Sequence, residues 1–377
     1  MTADLQAQEY ENATVLYMAL ELSNTKWRLA FGDGTRQRQV VIAAGDIAAL
    51  CEELTKVKAK WGLSPEVAVV SCYEAGRDGF WVHRQLGKLG IANQVVDAAS
   101  IEVSRRARRA KTDRLDAEAL LEKLIRYARG ERRVWRVVRV PEPVWEDLRQ
   151  LHREREDLLT ERTRHRNRLS SKLVAQGVRL PIGKDFVARL EAVKLFDGSG
   201  LPAHLKASLI REWERLQGVQ AQLRAVEQAI SELIESADRT QGVRSLMLLT
   251  GVGWVSAWVL VMELFGWREL TNRRQLASLA GLVPTPYSSG NLARDQGISK
   301  AGNRRVRALM IQLAWLWLRY QPDSKHSCWF QERFGGGSKR QRRIGIVALA
   351  RRLLIDLWRF VESGVVPAGA RLKVGVA

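Results

Sequence analysis

The chain has 377 residues and carries 61 Lys and Arg against 41 Asp and Glu, a formal net charge of +20. At roughly 150 residues per domain that length predicts two or three domains, and a composition of 46% hydrophobic and 27% charged residues excludes a mostly disordered chain. No apolar run reaches the ~18 residues needed to cross a bilayer, so no membrane partner is expected. The polar, acidic start MTADLQAQEYENATV has no basic region before an apolar core, which argues against a secretory signal. Cys51, Cys72 and Cys328 are odd in number and far apart, as expected in a reducing cytosol, and no Cys/His spacing resembles a zinc site. Arg outnumbers Lys about threefold, and its planar guanidinium forks onto phosphate. The balance is the footprint of a nucleic-acid binder. Trp213, Trp254, Trp258, Trp315, Trp317 and Trp358 fall within apolar periodic runs, where core packing rather than base stacking is their expected work.

In chain order, residues 1–14 are expected to be a flexible N-terminus. VLYMALEL (15–22), WRLAF (27–31) and RQRQVVIA (36–43) predict three short strands joined by tight turns. Ile47, Leu50, Leu54 and Val57 give 46–60 a helical period. VAVVSCYEA (67–75) predicts a strand buried on both faces, FWVHRQLGKLG (80–90) a helix closed by Gly90, and NQVVDA another strand. Antiparallel strands followed by alternating strands and helices indicate a mixed α/β sheet.

From about 113 the pattern is helical. DRLDAEALLEKLIRYARG is one helix stopped at Gly130. Val144, Leu148, Leu151, Leu158, Leu169 and Leu173 form a heptad-like stripe interrupted by Arg155, Arg162 and His165. A Gly/Pro-punctuated segment (177–202) precedes a second stripe, from Leu205 and Leu209 to Ile230 and Ile234. These predict a long antiparallel coiled coil that could self-associate, its polar seam residues selecting register or facing RNA. LMLLTGVGWVSAWVLVMEL places a Gly251-Val-Gly253 turn between helices, a helix-hairpin-helix-like layout whose amides could face phosphate. RRQLASLAGLVPTPYSSG ends a helix in a Pro-rich loop. ISKAGNRRVRALMIQLAWLWLRY leads from a basic loop into a helix, and GGGSKRQRR (335–343) leads into the last one.

Four acids stand where phosphodiester chemistry would need them. Glu21 lies on the first strand, Glu74 ends a buried strand, and Asp113 and Asp116 in KTDRLDA share a helix face at i and i+3. Two Mg²⁺ ions roughly 3.5–4 Å apart need several oxygen ligands from separate elements. Each acid also has a plainer reading: Asp113 as a helix-start charge, Asp116 as a partner of Lys111 or Arg114, Glu21 as a solvated strand-edge acid.

These residues resemble the insertion-sequence one-ten transposases, or DEDD transposases, related to Piv-type DNA invertases. MALELSNTKWRLAF, VSCYEAGRDGFWVHRQL and RRAKTDRLDAEAL resemble the segments bearing the acids. LLTGVGWVSAWVL, LASLAGLVPTPYSSG and ISKAGNRRVRALM resemble the C-terminal region. The resemblance covers roughly 15–130 and 243–360. It implies an α/β plus all-α architecture with a RuvC-like (ribonuclease-H-like) catalytic domain at 15–130 and a linker and coiled coil at 131–240. A transposase domain at 241–325 and a basic segment with a terminal helix at 326–377 would complete it. By position the tetrad becomes Glu21, Glu74, Asp113 and Asp116, with Glu21 where the family usually has Asp.

The resemblance also implies a catalytic serine directly before Gly, which selects Ser289 over Ser288; Tyr287 is the rival nucleophile by chemistry alone. Implied with it are Mg²⁺ (Mn²⁺ as substitute), target and donor DNA, a structured non-coding bridge RNA as guide, and a dimer or tetramer. The setting implied is a bacterial, nucleoid-associated, cytoplasmic one. Lys111, Arg114, Gly251, Gly253, Lys300, Arg304 and Arg305 are the expected nucleic-acid contacts. Two other readings share the acids: a metal-dependent nuclease or junction resolvase, and a non-catalytic nucleic-acid-binding descendant. An actin-like sugar kinase would need a Gly-containing phosphate turn after the first acid, where this chain has Glu-Leu-Ser-Asn-Thr-Lys.

Overall fold

Three β-rich, alternating segments fold back on one another at the start of the chain. β1 (Leu16–Leu22) pairs antiparallel with β2 (Lys26–Gly32), and β2 with β3 (Gln37–Ala43). After α1 (Ile47–Trp61), β4 (Val69–Glu74) returns parallel to β1; after α2 (Trp81–Lys88), β5 (Ala92–Val96) lies parallel to β4. The sheet order is β3-β2-β1-β4-β5. This is the mixed α/β sheet expected from the sequence. The computed structural model describes residues 14–102, 113–289 and 292–373, so residues 1–13 of the N-terminus expected to be flexible, and Lys111, lie outside the described residues.

Side chains alternate across a strand with period two, so each strand feeds both faces of the sheet. Leu16, Met18, Leu20 and Tyr73 pack beneath Leu50 and Val57 of α1 and Val82 and Leu86 of α2. The opposite face, with Tyr17, Ala19, Val70 and Cys72, packs against Ala117, Leu120, Leu121 and Leu124 of α3 (Asp113–Ala128). Residues 131–140, expected as part of a linker, belong to this unit instead. Val134 and Trp135 are buried on the α3 face, the Asp97 amide donates to Arg136 O at 2.9 Å, and Val137 bridges to Val96.

Residues 141–377 form a second compact unit. Its two long helices, α4 (Pro143–Val174) and α6 (Ala203–Ser236), run antiparallel. Arg155 Nε meets Glu227 at 2.8 Å, His165 Nδ1 meets Glu212 at 2.8 Å, and Lys172 Nζ meets Ser208 Oγ at 2.7 Å. Two polar interruptions of the stripe, Arg155 and His165, are therefore cross-helix partners that fix register. Glu212 is buried; burial pushes its carboxyl up, but hydrogen bonds from His165 and Arg168 outweigh that and hold it below its ordinary range. The reversing segment contains an unanticipated short helix, α5 (Phe186–Glu191), which buries Phe186 and Leu190 against Leu169, Leu173 and Leu209.

At their other end the long helices share a core with the C-terminal helices: α7 (Gln241–Met247), α8 (Trp254–Leu260), α9 (Arg273–Leu279), α10 (Arg304–Tyr320), α11 (Lys325–Phe330) and α12 (Lys339–Ser363). Two expectations are corrected here. PTPYSS is not a loop: β6 (Pro284–Ser289) pairs antiparallel with β7 (Leu292–Ile298). Both strands of a two-stranded ribbon are edges, so prolines without an N–H are tolerated, here with a register shift between Pro284 and Pro286. Trp315 is 41% exposed rather than in the core, although Trp258 and Trp317 are fully buried.

The burial of β4 has a chemical consequence. Cys72 is fully buried, which pushes its thiol up, whereas Cys328 is exposed. In the folded protein a thiol-reactive disulfide is expected to modify Cys328 readily and to spare Cys72 until denaturant is added. Rapid modification of all three cysteines without denaturant would contradict the sheet placement.

Candidate active site

The parity of the sheet decides where its acids point. On β1, Tyr17 and Ala19 face α3, and Glu21 is the next residue of that alternation. On β4, Val70 and Cys72 face α3, and Glu74 follows them. β1 and β4 run parallel with Leu20 opposite Tyr73, so Glu21 and Glu74 each stand one residue beyond that pair, at neighbouring C-terminal strand ends. Asp116 precedes the buried Ala117 near the start of α3, the helix packed on the same face. Glu21, Glu74 and Asp116 accordingly line a single cavity of about 510 Å³. In open α/β sheets this crevice outside the carboxyl ends of the strands is where ligands bind.

Asp113 opens α3, one turn before Asp116; its side chain and that of Arg114 lie outside the described residues. Among the described residues no group of three His, Cys, Asp or Glu side chains is gathered tightly enough to hold a metal ion by itself. The cavity has further polar walls that sequence reasoning missed: Ser23 and Asn24 from the β1–β2 turn, and Arg77 and Asp78 from the loop after β4. Arg77 and Asp78 stand 3.7 Å apart. Their signal was the run EAGRDG that begins at Glu74, read only for its glutamate.

The second group of candidates lies in the second unit. Ser289 is the last residue of β6, in register with Leu292; the side chains of Tyr287, Ser288 and Ser289 lie outside the described residues. The base of this hairpin is stitched to the end of α9 and the start of α10. Ser299 N donates to Val283 O at 2.8 Å, Lys300 N to Gly281 O at 3.2 Å, and Asn303 N to Leu279 O at 2.7 Å. Gly302 has φ +148°, and a Cβ there would sit 2.5–2.7 Å from Leu279 O, Gly281 N and Ser278 O. Only glycine fits this approach. Lys300 takes a left-handed φ of 57° beside it. Lys300 and Arg304 are exposed, while Arg305 Nε is paired with Glu156 at 2.6 Å.

One carboxylate that sequence reasoning did not single out holds this loop in place. Glu263 is 2% exposed. It meets His152 Nε2 at 2.9 Å, accepts from Arg153 Nη2 at 3.1 Å, and accepts from Asn303 Nδ2 at 2.9 Å. Asn303 in turn caps α10, its Oδ1 accepting from the amides of Arg305 and Val306. Burial pushes the Glu263 carboxyl up, yet the His152 hydrogen bond and the Arg153 charge outweigh it and hold the group down at about 2. The Gly251 turn is likewise packed from within. Gly251 has φ +87° beneath Tyr320, and Thr250 N donates to Arg371 O at 3.1 Å. Gly253 is exposed at the entry to α8.

Glu263 sets an acid dependence. A carboxylate with a lowered folded-state pKa stabilises fully above its ordinary value of 4.5, and that contribution is lost as pH falls toward about 2. Glu263→Gln is expected to cost about 3 kcal/mol at neutral pH. Its Tm deficit relative to wild type should shrink as pH drops from 4.5 toward 2; an unchanged deficit across that window would contradict the network.

A DEDD-type transposase family matches residues 36–176, which include Glu74, Asp113 and Asp116 but not Glu21. The family described as Transposase IS116/IS110/IS902 matches residues 243–327, which include Ser289, Lys300, Arg304 and Arg305. The transposase-family protein y4rJ of Sinorhizobium fredii is 44% identical, over 95% of this chain and 94% of its own. The transposase for insertion sequence element IS1111A of Coxiella burnetii is 26% identical over 78% of each chain. That for IS1328 of Yersinia enterocolitica is 26% identical over 68% of this chain and 73% of its own. With near-complete coverage at that first identity and two separate regions of the chain matched, the protein belongs to the IS110/IS116 family of insertion-sequence transposases.

Proposed function

We propose that this transposase cuts and rejoins DNA through a serine–DNA intermediate, with a carboxylate tetrad of Glu21, Glu74, Asp113 and Asp116 assisting through divalent cations. The observation that carries the reading is the single cavity shared by Glu21, Glu74 and Asp116, acids far apart in sequence on β1 and β4 and at the start of α3. The donor set is all carboxylate oxygen, which suits a hard cation. Mg²⁺ keeps several waters and shares substrate phosphate oxygens, so an open set of acids fits it better than a closed protein cage. When bound, Mg²⁺, or Mn²⁺ in its place, would polarise the phosphodiester and offset the charge of the transition state. A ribonuclease-H-like reading of the first unit is consistent with the sheet order and with acids at the ends of β1 and β4.

In the cleavage step the Ser289 hydroxyl oxygen attacks phosphorus. An Oγ–P bond forms, one bridging P–O ester bond breaks, and the serine proton ends on the departing sugar oxygen. Rejoining is the reverse attack by a sugar hydroxyl, which restores the free serine. Lys300 and Arg304, exposed beside the base of the Ser289 hairpin, would meet the phosphate, with Lys111, Arg114, Arg305 and the entry to α8 at Gly253 extending the backbone contacts. Gly251 serves by shaping that turn. A structured guide RNA, in addition to target and donor DNA, accords with the net charge of +20, since base pairing would then select sequence while arginines read backbone. The α4–α6 pair, read as a coiled coil, is the surface for self-association into a dimer or tetramer, in which acids and serine from different copies could meet.

In a supercoiled-plasmid strand-exchange assay, Asp116→Ala is expected to lower recombination by about 10²-fold or more while leaving nucleic-acid binding intact. Normal exchange by that variant would remove the tetrad. A covalent protein–DNA adduct on denaturing gels should vanish in Ser289→Ala. Its persistence there, with loss in Ser288→Ala or Tyr287→Phe, would relocate the nucleophile.

A further inference from the structure

A second cavity, of about 210 Å³, lies between α4, α8 and α10 within the second unit. Its walls are largely apolar: the half-buried indole of Trp254, with Val255, Val259 and Leu309, over fully buried Trp258. Arg155 lies over the Trp254 ring, 5.1 Å from its centroid, and is itself held by Glu227 at 2.8 Å. The indole is thereby fixed as a wall on one face. Among the polar groups of the lining, Glu156, Arg305 and Gln312 present both donors and acceptors.

The charges around this cavity cancel. Arg155 is paired with Glu227, Arg305 with Glu156, and the adjoining His152 with Glu263. A phosphate would find no net attraction inside. A neutral planar heterocycle with hydrogen-bonding edges would find the Trp254 indole to stack on and partners for its edge. The cavity opens where α10 begins, Arg305 being shared between its lining and the basic turn that also carries Lys300 and Arg304. A strand whose phosphate rests on that turn has a base within reach of the cavity.

We propose that this cavity receives a single unstacked nucleobase from a strand bound at the Lys300–Arg304 turn, so that the protein distinguishes single-stranded or distorted nucleic acid from continuous duplex. The proposal rests on the transposase reading for its partner but not on the serine or the carboxylates. Base–aromatic stacking does not depend on sequence, because every base has a π-face. The pocket thus reads strand state rather than sequence.

The test uses the full chain with a fluorescently labelled single-stranded oligodeoxythymidylate and a blunt duplex of equal length, at fixed salt. Ala308 is exposed on α10 and lines the cavity, so Ala308→Trp fills the space without removing a core side chain. It is expected to weaken single-strand binding about tenfold or more, the loss of one stacked base. Duplex binding and Tm should be unchanged. Gln312→Ala, also at an exposed position, is expected to reduce single-strand affinity less, and Trp254→Phe to retain most of it because a stacking face remains. Equal losses on both probes, or no loss on either, would overturn the pocket while leaving the transposase reading standing. Failure of the wild-type chain to bind either probe would overturn both.

Discussion

The first unit of this protein depends on the alternation of side chains along two parallel strands. β1 and β4 must each bury apolar residues on two faces, because helices cover both. Once the register sets Leu20 against Tyr73, the residues that follow, Glu21 and Glu74, are committed to the face occupied by α3. A slip of one residue in either strand would carry its acid to the other face, among Leu50, Val57 and Val82. The apolar packing of the sheet is thus what brings two carboxylates side by side, and α3 adds Asp116 because its buried stripe of Ala117, Leu120, Leu121 and Leu124 fixes its rotation. Mutual repulsion among such acids opposes the arrangement, and the hydrophobic faces on either side resist it.

The second unit solves a different problem, holding an exposed hairpin on a rigid base. Its ribbon of two strands has no independent core and would be marginal in isolation. It is anchored instead by backbone bonds from residues 299, 300 and 303 to the chain around Gly281, by the crowding at Gly302, and by Asn303, which joins the α10 cap to buried Glu263. Glu263 in turn ties α4 to that cap through His152 and Arg153. The long helical pair and the Ser289 hairpin therefore rest on one buried polar junction.

Strand and helix positions in both units were legible because they rest on local pattern. Examples are the alternation of β1, the continuous apolar run of β4, and the stripe from Leu209 to Ile234. Glu21, Glu74 and Asp116 were singled out through motif resemblance, and the pairing of β1 with β4 explains why acids so distant in sequence share a cavity. What escaped was whatever depends on contacts distant in sequence. The β6–β7 hairpin was hidden by Pro284 and Pro286, which ordinarily argue against a strand. The assignment of 131–140 to the sheet depends on bonds to Val96 and Asp97 that no local period reports. Trp315 lies in an apolar run yet faces outward, because α10 buries Met310, Leu313, Ala314 and Trp317 instead. Arg77, Asp78 and Glu263 carried no periodic signal, and only folding shows what surrounds them.

The shared carboxylate cavity is tested most directly by titrating the full chain with Mn²⁺ and following the free-ion signal by electron paramagnetic resonance. Wild type should remove Mn²⁺ from solution in competition with Mg²⁺, and Glu74→Gln and Asp116→Asn should each weaken that uptake while Asp238→Asn, on a turn of the other unit, leaves it unchanged. Uptake indifferent to both Glu74 and Asp116 would mean that these acids do not act together on a cation, and the proposed chemistry would lose its foundation.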